Sequence, residues 1–279
     1  MLEQTNNKTI AKNTLFLYLR MMFTMIVTLF TSRIILQKLG IDDYGIYQAV
    51  GGVVGFLSFI NGALSTGSSR FLTYAIGERN LEKLKRTFST TLNIHILIAI
   101  IVVILAETVG LWFLYNKMVI APDRMTAAVC TYHLSILTAV FSLTQVPYNA
   151  VIIAHERMSI YAYMSIFEVS AKLGICYLLT LVDYDKLILY ASLLFIVQLL
   201  VMLFYRLYCT KNFKEARFSM TFDEIVFKEI ARFSGWSMFA NTAMALNSQG
   251  ILVLLNIFFS PAVVAARAIS LQANMAANQ

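Results

Sequence analysis

Residues 88–114 read FSTTLNIHILIAIIVVILAETVGLWFL, and the ten residues 96–105 within them, ILIAIIVVIL, include no polar side chain. About 20 apolar residues cross the hydrocarbon core of a bilayer as a helix. The whole chain shares this character, because 59% of its 279 residues are hydrophobic and 13% are charged, whereas about a quarter of a soluble domain is charged. The chain has only 12 glycines and 3 prolines, too few for the turns that a chain of short strands would need. The sequence predicts an all-α integral membrane protein and excludes a β-barrel or a soluble enzyme.

Further apolar runs set the number of spans. We predict seven complete spans and a truncated eighth, at residues 14–37, 45–69, 88–114, 126–153, 160–181, 187–208, 234–259 and from 262 to the end. The polytopic bundle then comprises a six-helix lobe (1–208), a linker (209–233) and the first two helices of a second lobe (234–279). The second unit begins as the first does, with a basic amphipathic approach, a long span, a very short outer loop and a returning span, which favours an internal repeat. Because the sequence then stops within a helix, we expect it to be the N-terminal part of a longer transporter.

The linker has an amphipathic pattern. Thr221 and Glu224 fit a capping box, and apolar residues then recur at helical spacing. These apolar residues are Phe222, Ile225, Val226, Ile230 and Phe233. The pattern predicts a helix that lies on the inner membrane surface.

Basic residues predict the orientation of the chain. Of the 22 Lys and Arg residues, 14 lie in the N-terminal segment and the even-numbered loops, and 4 lie in the opposite loops. By the positive-inside rule the N-terminus is cytoplasmic. The net charge of +7 occurs as short clusters beside apolar runs. We therefore expect contact with anionic lipids and no nucleic-acid partner.

Polar residues within the spans indicate a candidate site, since each must be hidden from lipid. In the fourth span, polar residues repeat every three or four positions and so share one face. Similar faces occur in five other spans, while the third and sixth spans have weaker ones and are expected further out. The candidate substrate-binding residues are Arg20, Asn61, Gln145, Asn149, Asn241, Asn256 and Arg267. Alternatively, such faces pack helices together, but six of them favour a shared hydrated cavity.

The charged residues within the spans differ in their expected roles. Arg20 heads a polar face about 9 Å inside its span by helix rise, and is predicted to face the cavity. Arg33 is close to the outer end and is predicted to snorkel. Glu168 and Lys172 are four residues apart and form either a structural ion pair or a coupling site. The histidines and cysteines form no catalytic or metal-binding motif, so we predict no enzyme activity, metal or cofactor.

One segment resembles a known family. The stretch TSRIILQKLG, residues 31–40, followed by IDDYGIYQ and the Arg70-Phe71 pair, is similar to bacterial lipid-linked oligosaccharide (O-antigen type) flippases. These proteins belong to the multidrug, oligosaccharidyl-lipid and polysaccharide exporter superfamily. The stretch AARAIS, residues 265–270, resembles the start of their eighth helix. The resemblance implies two six-helix lobes around a cavity that opens alternately to each side, with cationic residues that bind a pyrophosphate. Arg20 and Arg267 occupy matching helices.

The resemblance implies a flippase that moves undecaprenyl-pyrophosphate-linked oligosaccharide units across the bacterial inner membrane for cell-surface polysaccharide synthesis. Its partners would be this lipid-linked substrate, membrane lipids and other polysaccharide-assembly membrane proteins. One alternative is a drug or small-cation antiporter of the same superfamily, which would favour acidic residues in the cavity. A more remote alternative is a membrane enzyme that transfers glycans.

Overall fold

The computed structural model describes residues 2–56, 58–182, 184–217, 219 and 221–277, which form helices and short connections without a strand. The all-α prediction is confirmed. The helices are α1 (Leu2–Leu39), α2 (Ile41–Phe56), α3 (Ser58–Gly77), α4 (Leu81–Leu105), α5 (Leu111–Asn116), α6 (Met125–Ala154), α7 (Met158–Leu181), α8 (Lys186–Asn212), α9 (Glu224–Ala245), α10 (Ile251–Phe258) and α11 (Pro261–Ala277).

Six segments of the described chain are long and apolar enough to cross a membrane. They are Thr14–Leu39, Leu81–Asn116, Pro122–Ala154, Met158–Leu181, Lys186–Asn212 and Glu224–Phe258. A seventh span is formed if α2 and α3 are counted together, but these helices are bent by 50° relative to each other. The second predicted span is therefore a bent pair. Gly40, in the turn before it, has a φ of 86°, a left-handed conformation that favours glycine.

Helix α6 is at the centre of the bundle, where it contacts α2, α3, α4, α7 and α8, while α1 packs along α7. Large aromatic side chains fill the core between these helices, and the rings of Phe88 and Tyr148 meet edge to face with centroids 5.4 Å apart. On α4, Ile100 and Ile104 are instead exposed. Exposed apolar side chains on a spanning helix are the surface that lipid covers.

A wide turn interrupts the third span. Residues 106–110 form a π-helical turn between α4 and α5, and the Ala106 carbonyl accepts hydrogen bonds from the Leu111 N–H and from the Tyr132 hydroxyl, the latter at 2.7 Å. A Cβ atom at Gly110 would overlap the Tyr132 hydroxyl. Glycine at this position therefore allows α6 to insert its tyrosine against the turn.

The linker differs from its prediction. Helix α9 begins at Glu224 and continues through a second π-helical turn, Leu246–Gly250, into α10. Asp223 caps it by accepting hydrogen bonds from the backbone N–H groups of Ile225 and Val226. All of the apolar residues predicted to form a surface helix except Phe222 thus belong to the first turns of a spanning helix, and Asp223 replaces Thr221 as the cap. Amphipathic spacing alone did not distinguish the two arrangements.

Described residues of the linker bond to α4 and to the connection between α6 and α7. Glu215, 4% exposed, lies 2.5 Å from Nε2 of His155, whose ring stacks on Phe213. Next along the chain, the hydroxyl oxygens of Ser219 and Ser89 are 3.0 Å apart, and the backbone N–H of Asp223 donates to the Thr90 hydroxyl at 3.0 Å. Ser89 and Thr90 belong to α4, so this helix carries a docking surface for the linker.

The pKa of Glu215 reflects this docking. Burial alone would raise the pKa of Glu215. The hydrogen bond with His155 and a backbone hydrogen bond together lower it by more, so the net pKa is below the ordinary glutamate value. The folded protein therefore favours the ionised carboxylate.

The last helices pack on the first unit. Helix α9 runs along α3, while α10 and α11 run along α2. Gly45 touches the backbone of Pro261, where any Cβ atom would overlap the proline carbonyl. Of these last helices, α11 reaches the cavity described next, through Gln272.

Candidate functional site

A polar cavity of about 920 Å³ lies between α1, α2, α3, α6, α7 and α8, and α4 and α11 each contribute one lining residue, Val102 and Gln272. The polar faces predicted for three of these helices converge on it. They contribute Arg20, Thr24, Thr28 and Thr31 from α1, Ser135, Thr138 and Ser142 from α6, and Tyr161, Ser165, Glu168 and Lys172 from α7. A cavity shared by three polar faces is thus present, whereas the sequence predicted that six faces would share it.

The charges of the cavity are unequal. Nζ of Lys172 and Oε1 of Glu168 are 2.6 Å apart, so this pair neutralises itself. The guanidinium carbon of Arg20 lies 4.8 Å from the ring centroid of Tyr161, and its Nε atom is buried without a hydrogen-bond partner among the described residues. The lining residues thus include one cation that no carboxylate compensates. Arg33 is exposed, as its predicted snorkelling requires.

Two of the predicted amides lie at or behind the cavity wall. Asn61 lines the cavity and donates from Nδ2 to the Ser142 hydroxyl at 3.2 Å. Gln145, 9% exposed, lies behind the wall and accepts from Nε2 of Gln198 at 2.9 Å. Gln198 is the residue of this pair that lines the cavity.

Besides Gln145, four predicted site residues are not in the cavity lining: Asn149, Asn241, Asn256 and Arg267. Asn256 is fully buried and bonds to the backbone N–H and C=O of Val119, which fixes the connection after α5. Asn241 donates to the Ser237 carbonyl and lies against Gly62, at the contact of α9 with α3. Asn241 thus lies between two helices and Asn256 holds a connection, and neither residue is in the cavity lining.

Asn149 and Arg267 each have a buried polar atom without a partner among the described residues, namely Oδ1 and Nε respectively. Both residues share a helical face with other polar residues, but the part of the face that they occupy is outside the cavity. Spacing along a helix does not show how far the cavity extends.

The sequence analysis missed the glutamines Gln48, Gln198 and Gln272, which all line the cavity. Gln272 donates to the Tyr44 hydroxyl at 3.2 Å and also contacts the Ser32 hydroxyl, so it joins α11 to α2 and α1. Gln198 interrupts the apolar run LFIVQLLVML in α8. A lone amide in a span was the signal that could have identified it.

Arg124 forms a second polar cluster, outside the cavity lining. It makes two hydrogen bonds to each of Asp43 and Asp185, with shortest distances of 2.6 Å to both. Burial raises the pKa of Asp185, but the Arg124 hydrogen bond and the backbone N–H groups of Ile188 and Leu187 lower it below the ordinary aspartate value. This bidentate arrangement joins the starts of α2, α6 and α8.

Comparison with known structures supports the architecture. A multidrug resistance MATE family transporter of the MOP superfamily, in an inward-facing conformation, superimposes with a TM-score of 0.67 at 14% identity. That match covers 90% of this chain and 58% of the other, so the chain spans less than two thirds of that relative. A MATE protein in complex with MaD3S gives a TM-score of 0.62 at 14% identity, covering 96% of this chain and 66% of the other.

Sequence comparison identifies the family. No curated protein sequence matches the chain. The profile of the MatE family matches residues 16–178, which is more than half of the chain and includes most of the residues that line the cavity. The chain belongs to the MatE family.

Proposed function

We propose that this chain forms the first lobe and the beginning of the second lobe of a MATE-type exporter, and that the polar cavity is part of its substrate path. The observation that carries the proposal is the convergence of polar faces from α1, α6 and α7 on one cavity in a MatE-family fold. A polar solute loses its water hydrogen bonds when it enters a membrane. Hydroxyls and amides along the path would replace them, and no covalent bond need change.

The comparisons favour a small organic molecule as cargo, since one solved relative is a multidrug resistance transporter. This supports the drug or small-cation exporter. The carboxylate available in the cavity lining is Glu168, which Lys172 already pairs. A cationic cargo would therefore have to displace the lysine.

A second cargo is supported by Arg20. Its uncompensated guanidinium suits a phosphate group, which it could bind with two parallel hydrogen bonds. Together with the resemblance of residues 31–48 to flippases, it supports an undecaprenyl-pyrophosphate-linked oligosaccharide moved outward across the bacterial inner membrane, with the N-terminus in the cytoplasm. An inside-negative potential would assist export of such an anion.

Transport by the full-length protein in liposomes tests both cargoes. One arm measures tetraphenylphosphonium, and the other measures a fluorescent undecaprenyl-pyrophosphate glycan. A small-molecule exporter moves the first, and a flippase moves the second and requires Arg20. If protein that is inserted and folded transports neither these probes nor any tested solute, the proposed function is wrong.

The same assay tests coupling through Glu168 and Lys172. If Glu168 binds a coupling proton, Glu168→Gln abolishes the dependence of transport on a pH gradient. A structural pair instead predicts that the double variant Glu168→Gln/Lys172→Met keeps this dependence.

A further inference from the structure

Four hydroxyl groups in the cavity wall already use their only proton. Each donates to the backbone carbonyl four residues earlier in its own helix. These hydroxyls are Thr31 (2.5 Å to Val27), Ser135 (2.8 Å to Thr131), Thr138 (2.8 Å to Leu134) and Ser165 (3.0 Å to Tyr161). A hydroxyl has one proton and two lone pairs. These groups therefore offer the cavity acceptors and no donor.

The amides beside them each use one of their two N–H groups within the wall and keep one N–H and the carbonyl oxygen for the cavity. Asn61 donates from its nitrogen to Ser142, and Gln198 donates from its nitrogen to Gln145. The structure shows neither the Asn61 nor the Gln198 side-chain oxygen accepting a hydrogen bond within the described residues. These oxygens add to an acceptor surface that includes Ser135 and Thr138.

The charged donors of the cavity lie elsewhere. Arg20 is on α1, and Lys172 is on α7, where it already forms a salt bridge with Glu168. The cavity therefore has a guanidinium on α1 and, at Ser135 and Thr138 of α6, a stretch of wall whose hydroxyls offer only lone pairs. A cargo group with acceptors alone would lose its water hydrogen bonds at this wall and gain nothing in exchange.

We propose that the α6 wall, through Ser135 and Thr138, selects cargo by its hydrogen-bond donors. The substrate class is then a molecule that presents several O–H or N–H groups, such as a polyhydroxylated or a primary ammonium compound. Fully alkylated analogues of the same shape are excluded. This inference rests on the proposed function, because it takes the cavity to be the substrate path.

Helix α6 also contains a matched control. Thr144 donates to the Val140 carbonyl at 3.0 Å, the same local hydrogen bond that Thr138 makes to Leu134. Thr144 lies beside Ile100 and Ile104, outside the polar cavity. Thr138→Val and Thr144→Val thus make the same chemical change on one helix, with and without access to the cavity.

Binding to the full-length protein in lipid nanodiscs tests the proposal with two pairs of probes. The first pair is n-octyl maltoside and its fully O-methylated analogue, and the second is n-octylammonium and n-octyltrimethylammonium. Thr138→Val should weaken binding of the donor-bearing member by up to about tenfold, the size of one neutral hydrogen bond, and leave the alkylated member unchanged. Thr144→Val should leave all four unchanged. A response in the maltoside pair identifies O–H donors, and a response in the ammonium pair identifies N–H donors.

The inference is overturned if Thr138→Val affects alkylated and donor-bearing probes equally, or affects neither pair. Transport separates this failure from that of the proposed function. If the wild-type protein transports a donor-bearing cargo and the double variant Ser135→Ala/Thr138→Val transports it at the same rate, donor selection is wrong and the transport path stands. If the wild type transports no cargo, both are wrong.

Discussion

Helices α4 and α6 both carry hydroxyl-rich faces, and the two faces serve different purposes. On α6, Ser135 and Thr138 line the polar cavity. On α4, Ser89 and Thr90 are almost fully buried and hold the linker. One face is accessible to a solute, whereas the other is sealed against the chain itself. Polar residues in a span therefore indicate burial away from lipid, and their partner decides their role.

The two faces differ in how their polar residues are spaced along the helix. The α6 residues repeat every three or four positions over most of the helix, as a path through a bundle requires. On α4 the polar residues are crowded near the N-terminal end, at Thr87, Ser89, Thr90 and Thr91. Such crowding places them around several sides of the helix, which suits a segment covered by other parts of the protein.

The largest effect that would separate the cavity from the docking surface is expected at Arg20 of α1. Arg20→Ala should reduce transport of an anionic cargo by about 50-fold, because a hydrogen bond to a charged group contributes about 1.5–3 kcal/mol. Arg20→Lys should restore it only in part. Transport rates in liposomes provide the measurement. Arg33→Gln is the control and should stay near the wild-type rate. If Arg33→Gln loses transport while Arg20→Ala does not, the substrate path has been assigned to the wrong face of α1.

Removing the linker contact should destabilise the protein without changing cargo affinity. Glu215→Ala should lower the free energy of unfolding by about 2 kcal/mol, because it removes the buried partner of His155. Glu224→Ala is the control, since Glu224 pairs with Lys228 at an exposed site and such pairs contribute little. Thermal unfolding in detergent measures both. Equal effects from the two substitutions would contradict a specific role for Glu215 in docking.

Acid should also weaken the docking surface, because it protonates the Glu215 carboxylate. Because the pKa of Glu215 is lowered on folding, its stabilising contribution is complete above the unfolded glutamate pKa of about 4.3 and is lost as the pH falls through the lower folded value. The stability difference between the wild type and Glu215→Gln should therefore shrink below about pH 4.3. A difference that stays constant from pH 7 to the acid limit of folding would argue against a stabilising ionised carboxylate at Glu215.

The smallest effect should come from Thr90→Val on α4. It removes the acceptor for the Asp223 N–H and should cost about 1 kcal/mol of stability, with no change in the binding of n-octyl maltoside. Thr138→Val on α6 should do the reverse. Unfolding and binding measured on the same two preparations compare the faces directly, and a loss of affinity in Thr90→Val would show that the docking surface and the cavity are coupled.

Sequence reasoning predicted the helical class, most spans, the α6 face and the placement of Arg20, since these depend on local periodicity and on the cost of polar groups in lipid. It did not distinguish Asn256, which bonds to the backbone of Val119, from Asn61, which lines the cavity. The two amides have the same chemistry, and only the tertiary partner differs. It also expected the third span to have a weak polar face, because the importance of Ser89 and Thr90 depends on a linker more than 120 positions away.

The π-helical turn at 106–110 has a consequence for how this helix tolerates changes in length. Such a turn accommodates one additional residue locally, so the helix on either side keeps its facing toward α6. A single-residue deletion inside 106–110 can therefore be absorbed by reversion to ordinary α-helix. The same deletion in the middle of α4 would rotate everything beyond it by about 100°. Among relatives of this chain, insertions and deletions should accumulate at this turn. They should occur in those relatives in which both Gly110 and Tyr132 are replaced.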